Sequence, residues 1–222
     1  MDIILKYFSD FTDEQLNQLA ALEGLYKEWN EKINVVSRKD IDSLHEKHVL
    51  HSLSIAAAFP FAEGSEIVDL GSGGGFPGIP LAIFFPKVQF HLVDSIAKKL
   101  KVVDDVAQNI GLKNISTQHS RIEDIKTRKF DYVVSRAVAP LKDLWQWSKP
   151  LIALRQAQGD STKGDGSATL TGQNPLPGLI CLKGGDLTQE IQESQTKPHI
   201  LPIKEIFEEP FFEEKFLVYV RK

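Results

Sequence analysis

The sequence predicts an α/β fold: a mostly parallel seven-stranded sheet, with an antiparallel strand at its C-terminal end, behind a helical N-terminal extension. Three observations predict it. From residue 65 onward, short β-branched runs alternate with helical stretches, the order that builds a parallel sheet covered on both faces. A glycine-rich loop joins the first of those strands to the next helix. The first sixty residues show helical periodicity and no strand pattern. The chain has 222 residues, 25% charged and 42% hydrophobic, enough for one large domain or one domain with an extension. The expected division is a helical extension over 1–62 and the sheet domain over 63–222.

Residues 12–35 read as an amphipathic helix through Leu16, Leu19, Leu22, Leu25 or Tyr26, Trp29 and Ile33, and Thr12 with Gln15 matches a capping box. A second helix is predicted over 40–58, ended by Pro60 and Gly64. A strand over 66–70 leads into the glycine loop and a helix with Pro77 near its start. A strand over 88–94 and a helix over 96–110, closed by Gly111, follow. Further strands are expected over 114–119, 130–135, 178–183, 199–207 and 215–221, with helices over 141–149 and 186–194. Of Trp145 and Trp147, one is expected in the core and the other partly exposed. The last two strands have little between them, so they pair antiparallel. Residues 155–178 are mostly Gly, Ser, Thr, Gln, Asp and Asn, with only Leu170 and Leu176 large and apolar. Such a stretch buries too little to offset its ordering entropy and reads as a flexible insertion.

Composition narrows the class. No run approaches the roughly 20 apolar residues that span a bilayer. The N-terminus is acidic early and lacks the pattern of a signal peptide. The single cysteine, Cys181, excludes an internal disulfide and a Cys-rich zinc site. His45, His48 and His51 drift around their helix with no cysteine or paired carboxylate to complete a metal set, so no metal is expected. A cytoplasmic enzyme fits, with a monomer favoured. The net charge of −4 argues against a nucleic-acid binder that works by charge alone. It suits a partner recognised by shape as well as charge.

The most informative stretch is Ile67-Val-Asp-Leu-Gly-Ser-Gly-Gly-Gly-Phe-Pro-Gly78. Glycines there let the backbone turn tightly and approach a ligand. Gly73-x-Gly75-x-x-Gly78 fits a dinucleotide fingerprint, and Asp94 lies where a ribose-binding acid belongs, which suggests NAD. S-adenosylmethionine (SAM) has a ribose with the same need. Asp69 tips the balance toward SAM: a carboxylate just before the loop repels a pyrophosphate and attracts an amino group and a sulfonium. The chain also lacks the second half of a full dinucleotide fold. A nicotinamide-dependent oxidoreductase and a non-catalytic SAM- or RNA-binding module remain the alternatives.

Asp69-Leu-Gly-Ser-Gly-Gly-Gly-Phe-Pro-Gly-Ile-Pro-Leu-Ala-Ile83 resembles the first motif of the RsmG family, small-subunit ribosomal RNA guanine-N7 methyltransferases also called glucose-inhibited division protein B. Trp29-Asn30, Asn34, Lys47-His-Val-Leu-His-Ser-Leu53, Leu92-Val-Asp-Ser95, Ser120-Arg-Ile-Glu-Asp124, Val134-Ser-Arg-Ala137, Leu182-Lys-Gly184 and Leu217-Val-Tyr-Val-Arg-Lys222 follow in the expected order. The resemblance implies a Rossmann-like class I SAM-dependent methyltransferase fold. It implies SAM against Gly71 and Phe76, Ile122 and Glu123 by the adenine, and Arg136 beside the methionine end and the substrate. Asp69, Gly73 and Asp94 complete the expected cofactor set. The implied target is one guanine of 16S ribosomal RNA near the decoding centre, as RNA or ribosomal particle. His51 stands where many relatives carry an acid.

Guanine N7 has a lone pair and no hydrogen, so its methylation needs no general base. That fits a sequence with no evident nucleophile–base pair. Arg136 is the expected catalytic residue, since its fork of donors suits an anion or the base oxygen O6. Asn30, Arg38, His48, Lys98 and Lys183 are the expected substrate contacts. Lys98, Lys99 and Lys101, with Lys32, Arg38 and Lys39, are expected to form an RNA track.

Overall fold

The computed structural model describes residues 1–125, 128–136, 138–153 and 175–222. Most of the insertion expected over 155–178 lies outside them, and its end gives way to a strand at Gly178. Seven strands form one sheet: β1 (Glu66–Leu70), β2 (Gln89–Asp94), β3 (Ile115–His119), β4 (Tyr132–Arg136), β5 (Gly178–Gly184), β6 (His199–Pro202) and β7 (Lys215–Arg221). Their order is β3-β2-β1-β4-β5-β7-β6. The first five run parallel, and β7 pairs antiparallel with both β5 and β6. The chain winds outward from β1 in one direction and then restarts at β4 in the other. The crevice between those strands at their carboxyl ends is the position where such folds bind ligands.

Helices α1 (Asp2–Leu5), α2 (Asp13–Lys32) and α3 (His51–Ala58) make the N-terminal part. The expected capping box is present. The Thr12 amide donates to Gln15 Oε1 at 2.9 Å, and the Gln15 amide to Thr12 Oγ1 at 3.3 Å. The continuous helix predicted over 40–58 is instead three pieces: a 3-10 turn Ile41–Ser43, a π-helical turn His45–Leu50, and α3. A π turn widens the spacing of side chains and often sits at functional sites. Helices α4 (Gly78–Phe84), α5 (Ala97–Asn109), α6 (Leu141–Ser148) and α7 (Thr188–Ser194) accompany the sheet. Gly111 ends the turn after α5 with a φ of +76°. The strand predicted over 199–207 stops at Pro202 and continues as the 3-10 turn Ile203–Glu205. Trp145 and Trp147 are both half-buried, which corrects the expected split.

Side chains alternate along each strand between two buried faces. Ile67, Phe90, Val134, Ile180 and Leu182 join Leu19, Leu22, Tyr26 and Leu53 of the N-terminal helices in one core. Val68, Leu70, Val133, Leu179 and Cys181 join Leu141 and Leu144 of α6 in the other. The extension therefore completes the core on one sheet face. Among the described residues, no helix is long and apolar enough to cross a membrane.

Candidate active site

The glycine loop is held by carboxylates from below and a tyrosine from the side. The Gly71 and Ser72 amides donate to the Val93 carbonyl at 2.9 and 3.1 Å, tying the loop to β2. Asp94, the last residue of β2, accepts from the Gly73 amide through Oδ2 and from the Ile96 amide through Oδ1, each at 2.8 Å. Asp69 accepts from the Gly78 amide at 2.9 Å. The Tyr26 hydroxyl of α2 donates to the Gly74 carbonyl at 2.5 Å. At Gly71, with φ at +69°, a Cβ would lie 2.5 Å from Val138 Cγ1. Only glycine allows both that conformation and that approach.

Two charged groups at the carboxyl edge, Asp69 and Arg136, attract each other without an ion pair or hydrogen bond between them among the described residues. Asp69 is fully buried, and its Oδ1 has no hydrogen-bond partner among the described residues. Burial pushes its carboxyl up to about 7, against the opposing pull of the Gly78 amide and Arg136. Arg136 ends β4, and its guanidinium lies 5.1 Å from the ring centroid of Phe76. It makes no ion pair or hydrogen bond among the described residues. Burial lowers its pKa to about 10, with Asp69 opposing that shift. An unpaired, partly desolvated carboxylate and guanidinium form an arrangement ready for a ligand carrying both signs of charge.

Phe76 is 2% exposed and packs against Tyr26 at 4.8 Å and His48 at 5.2 Å between ring centroids. His48 Nδ1 and His51 Nε2 are buried without partners among the described residues. Burial, reinforced by Arg136, lowers both imidazoles to about 3, so both are neutral. Ile122 and Glu123 lie on a 3-10 turn after β3, Ile122 half-buried and Glu123 exposed. Arg38 and Lys98 are exposed.

Two expected substrate contacts are engaged within the protein. Asn30 closes the turn after α2: its Oδ1 accepts from the Val35 and Val36 amides at 3.0 Å and its Nδ2 donates to the Val36 carbonyl at 2.8 Å. Lys183 is 8% exposed, and its Nζ donates to the Ala139 carbonyl at 2.6 Å and to Glu190 Oε1 at 2.5 Å. Its ammonium is therefore already engaged by Ala139 and Glu190. Sequence reading missed Tyr26 and Val138 as parts of the site. Tyr26 sits in the apolar stripe of α2, where nothing marks a hydroxyl as a loop anchor.

The dinucleotide reading loses its support here. The amides of Gly73 and Gly78, two of its three fingerprint glycines, are taken by carboxylates rather than presented to a pyrophosphate. Among solved structures, a SAM-dependent methyltransferase from Aquifex aeolicus superposes with a TM-score of 0.52 at 14% identity, over 80% of this chain and 92% of that one. That likeness establishes the fold alone, Rossmann-like class I. Curated relatives named ribosomal RNA small subunit methyltransferase G include one from Bacteroides thetaiotaomicron, 53% identical over 99% of this chain and 98% of its own. Another, from Phocaeicola vulgatus, is 53% identical with the same two coverages. Residues 15–161 match the family GidB, rRNA small subunit methyltransferase G. That match runs through the loop, both acids and Arg136, and with full-length identity above half, the chain belongs to the rRNA small subunit methyltransferase G family.

Proposed function

We propose that this protein transfers the methyl group of SAM to N7 of a single guanine in 16S ribosomal RNA near the decoding centre. The observation that carries the reading is the pair at the carboxyl edge: Asp69 Oδ1 and the Arg136 guanidinium, both without hydrogen-bond partners among the described residues, beside the glycine cradle. They complement the amino and carboxylate groups of a methionine end. Asp94 takes the ribose hydroxyls with its remaining lone pairs while it holds Gly73. Ile122 offers an apolar face to the adenine and Glu123 an acceptor. When bound, SAM supplies an electrophilic methyl group whose bond to sulfur breaks toward sulfur as an incoming lone pair bonds to carbon.

The chain's own residues align the partners. Guanine N7 gives up no proton, so no residue need act as a base. Alignment of this kind contributes up to roughly 7–11 kcal/mol in favourable cases. Arg136 orients the methionine end and turns its other donors toward the RNA. Neutral His48 lines the same edge behind Phe76. Arg38 and Lys98 meet backbone phosphate. With a net charge of −4, folded RNA within a particle supplies much of the recognition. The test is labelled methyl transfer to unmodified small-subunit particles and to their naked RNA. The expected result is faster transfer to particles, and equal rates on both would remove the assembly requirement.

A further inference from the structure

A second feature opens beside the cofactor cradle, on the sheet face opposite Asp69 and Arg136. An open groove of about 540 Å³ is lined by Val138, Ala139 and Pro140 after β4, by Lys183 and Gly184 at the end of β5, and by Asp186, Gln189, Glu190 and Glu193 leading into and along α7. Its wall at Val138 touches the loop, since Val138 Cγ1 occupies the space a Cβ on Gly71 would need. The groove therefore begins where the cradle ends.

Its polar floor is one fixed pair. Helix α6 begins at Leu141, preceded by Pro140, which has no side chain able to cap it. Glu190 of α7 does that work: its Oε1 accepts from the Leu141 amide and from Lys183 Nζ, each at 2.5 Å. An acceptor at a helix N-terminus satisfies an otherwise unpaired amide and meets the positive end of the helix dipole. Lys183 also donates to the Ala139 carbonyl at 2.6 Å. Among the described residues, one of the three ammonium protons is unused and Glu190 Oε2 makes no hydrogen bond. The groove thus presents a donor and an acceptor side by side, locked by their own ion pair.

The chemistry of an occupant follows. Asp186, Glu190 and Glu193 outnumber Lys183, so a phosphate is repelled and a base is admitted. A carboxylate beside an ammonium complements the Watson–Crick edge of guanine, with N1–H and the 2-amino group as donors and O6 as acceptor. Adenine presents a different pattern at those positions. Gripping that edge leaves N7 exposed, and enzymes that modify a base outside its stack commonly read this edge. N7 alkylation also spreads positive charge over the purine, which nearby carboxylates stabilise.

We propose that this groove seats the Watson–Crick edge of the target guanine, with Glu190 Oε2 accepting from N1–H and the 2-amino group and Lys183 Nζ donating to O6. Glu190 is then a specificity-determining residue. The proposal rests on the guanine-N7 reading above.

The experiment compares wild type with Glu190→Gln, which retains an oxygen for Leu141 and Lys183. Substrates are reconstituted small-subunit particles with guanine or inosine at the methylated position. Inosine lacks only the 2-amino group. Wild type is expected to prefer guanine about tenfold in kcat/KM, the worth of one hydrogen bond to a charged group. Glu190→Gln is expected to lose most of that preference while binding SAM as wild type does. Equal preference in both proteins overturns the groove assignment and leaves the guanine-N7 reading standing. No transfer by wild type to the guanine particle overturns both. A measurement without a variant uses 6-thioguanine at the target and near-ultraviolet crosslinking to wild type. Adducts within 138–140 or 183–193 support the seat, and adducts confined to other segments overturn it.

Discussion

The two faces of the sheet's carboxyl edge handle charge in opposite ways. On the face of the N-terminal helices, Asp69 and Arg136 stand without hydrogen bonds to each other, and Asp69 Oδ1 has no partner among the described residues. On the α6–α7 face, Lys183 and Glu190 are locked together at 2.5 Å. Strand alternation creates the difference. Arg136 pairs across β4 and β5 with Leu182, so Lys183, one residue on, turns to the opposite face. Open charges anticipate a ligand that brings its own counter-charges. The locked pair is finished and offers a rigid pattern of one donor and one acceptor. On the reading proposed above, the first arrangement suits a flexible zwitterion and the second a flat base.

Substitutions break this comparison most sharply. Arg136→Met is expected to lower transfer by roughly 100–1,000-fold, the range for removing one well-placed electrostatic group, with no loss of folding stability. Lys183→Met is expected to cost about 2–3 kcal/mol in denaturant unfolding, because Glu190 and the Ala139 carbonyl lose their donor, with Glu190's partial exposure softening the penalty. If both changes acted on stability alone, the contrast between the faces would fail.

Gly71→Ala tests the contact between cradle and groove. Strain at a φ of +69° and the 2.5 Å approach to Val138 Cγ1 are expected to weaken SAM binding measured by calorimetry. The cost is on the order of 1–3 kcal/mol. Adding Val138→Ala is expected to restore part of it by removing the clash and none of the backbone strain.

Asp69 sets a pH dependence. Its folded value of about 7 lies above its ordinary 3.8 because burial disfavours the charged form. Between those values the folded chain keeps a proton that the unfolded chain has released, so apo-protein stability falls as pH rises across that window. Amino-group binding needs the carboxylate, so SAM affinity is expected to rise about tenfold from pH 6 to 8. Asp69→Asn is expected to flatten the profile. Replacing residues 155–174 by a short Gly-Ser linker is expected to change turnover by less than about threefold, because loop length enters only logarithmically.

Much of this arrangement was legible in the sequence where one residue type has one physical use. Thr12 and Gln15 announced the start of α2, and five glycines between Gly71 and Gly78 announced the cradle. Asp69 near the end of β1 and Asp94 at the end of β2 were legible as acids beside the loop, but their hold on the Gly78 and Gly73 amides was not. Other features depend on tertiary partners with no local signature. The π turn at His45–Leu50 has ordinary helical composition, so periodicity reads straight through it. Asn30 and Lys183 are polar residues near a ligand edge by sequence, yet the 35–36 turn and Glu190 engage them. Glu190 is one acid among many in the C-terminal third, and only the packing of α7 beside α6 brings it to Leu141 and Lys183.

The most direct test of the central claim is to locate the methyl group. Unmodified small-subunit particles are treated with the protein and labelled SAM, and the RNA is then cleaved chemically at N7-methylguanine. Cleavage at a single guanine, matching the incorporated label one to one, is the predicted result. Label that resists this cleavage, or that spreads over several bases, would contradict methyl transfer to N7 of one guanine.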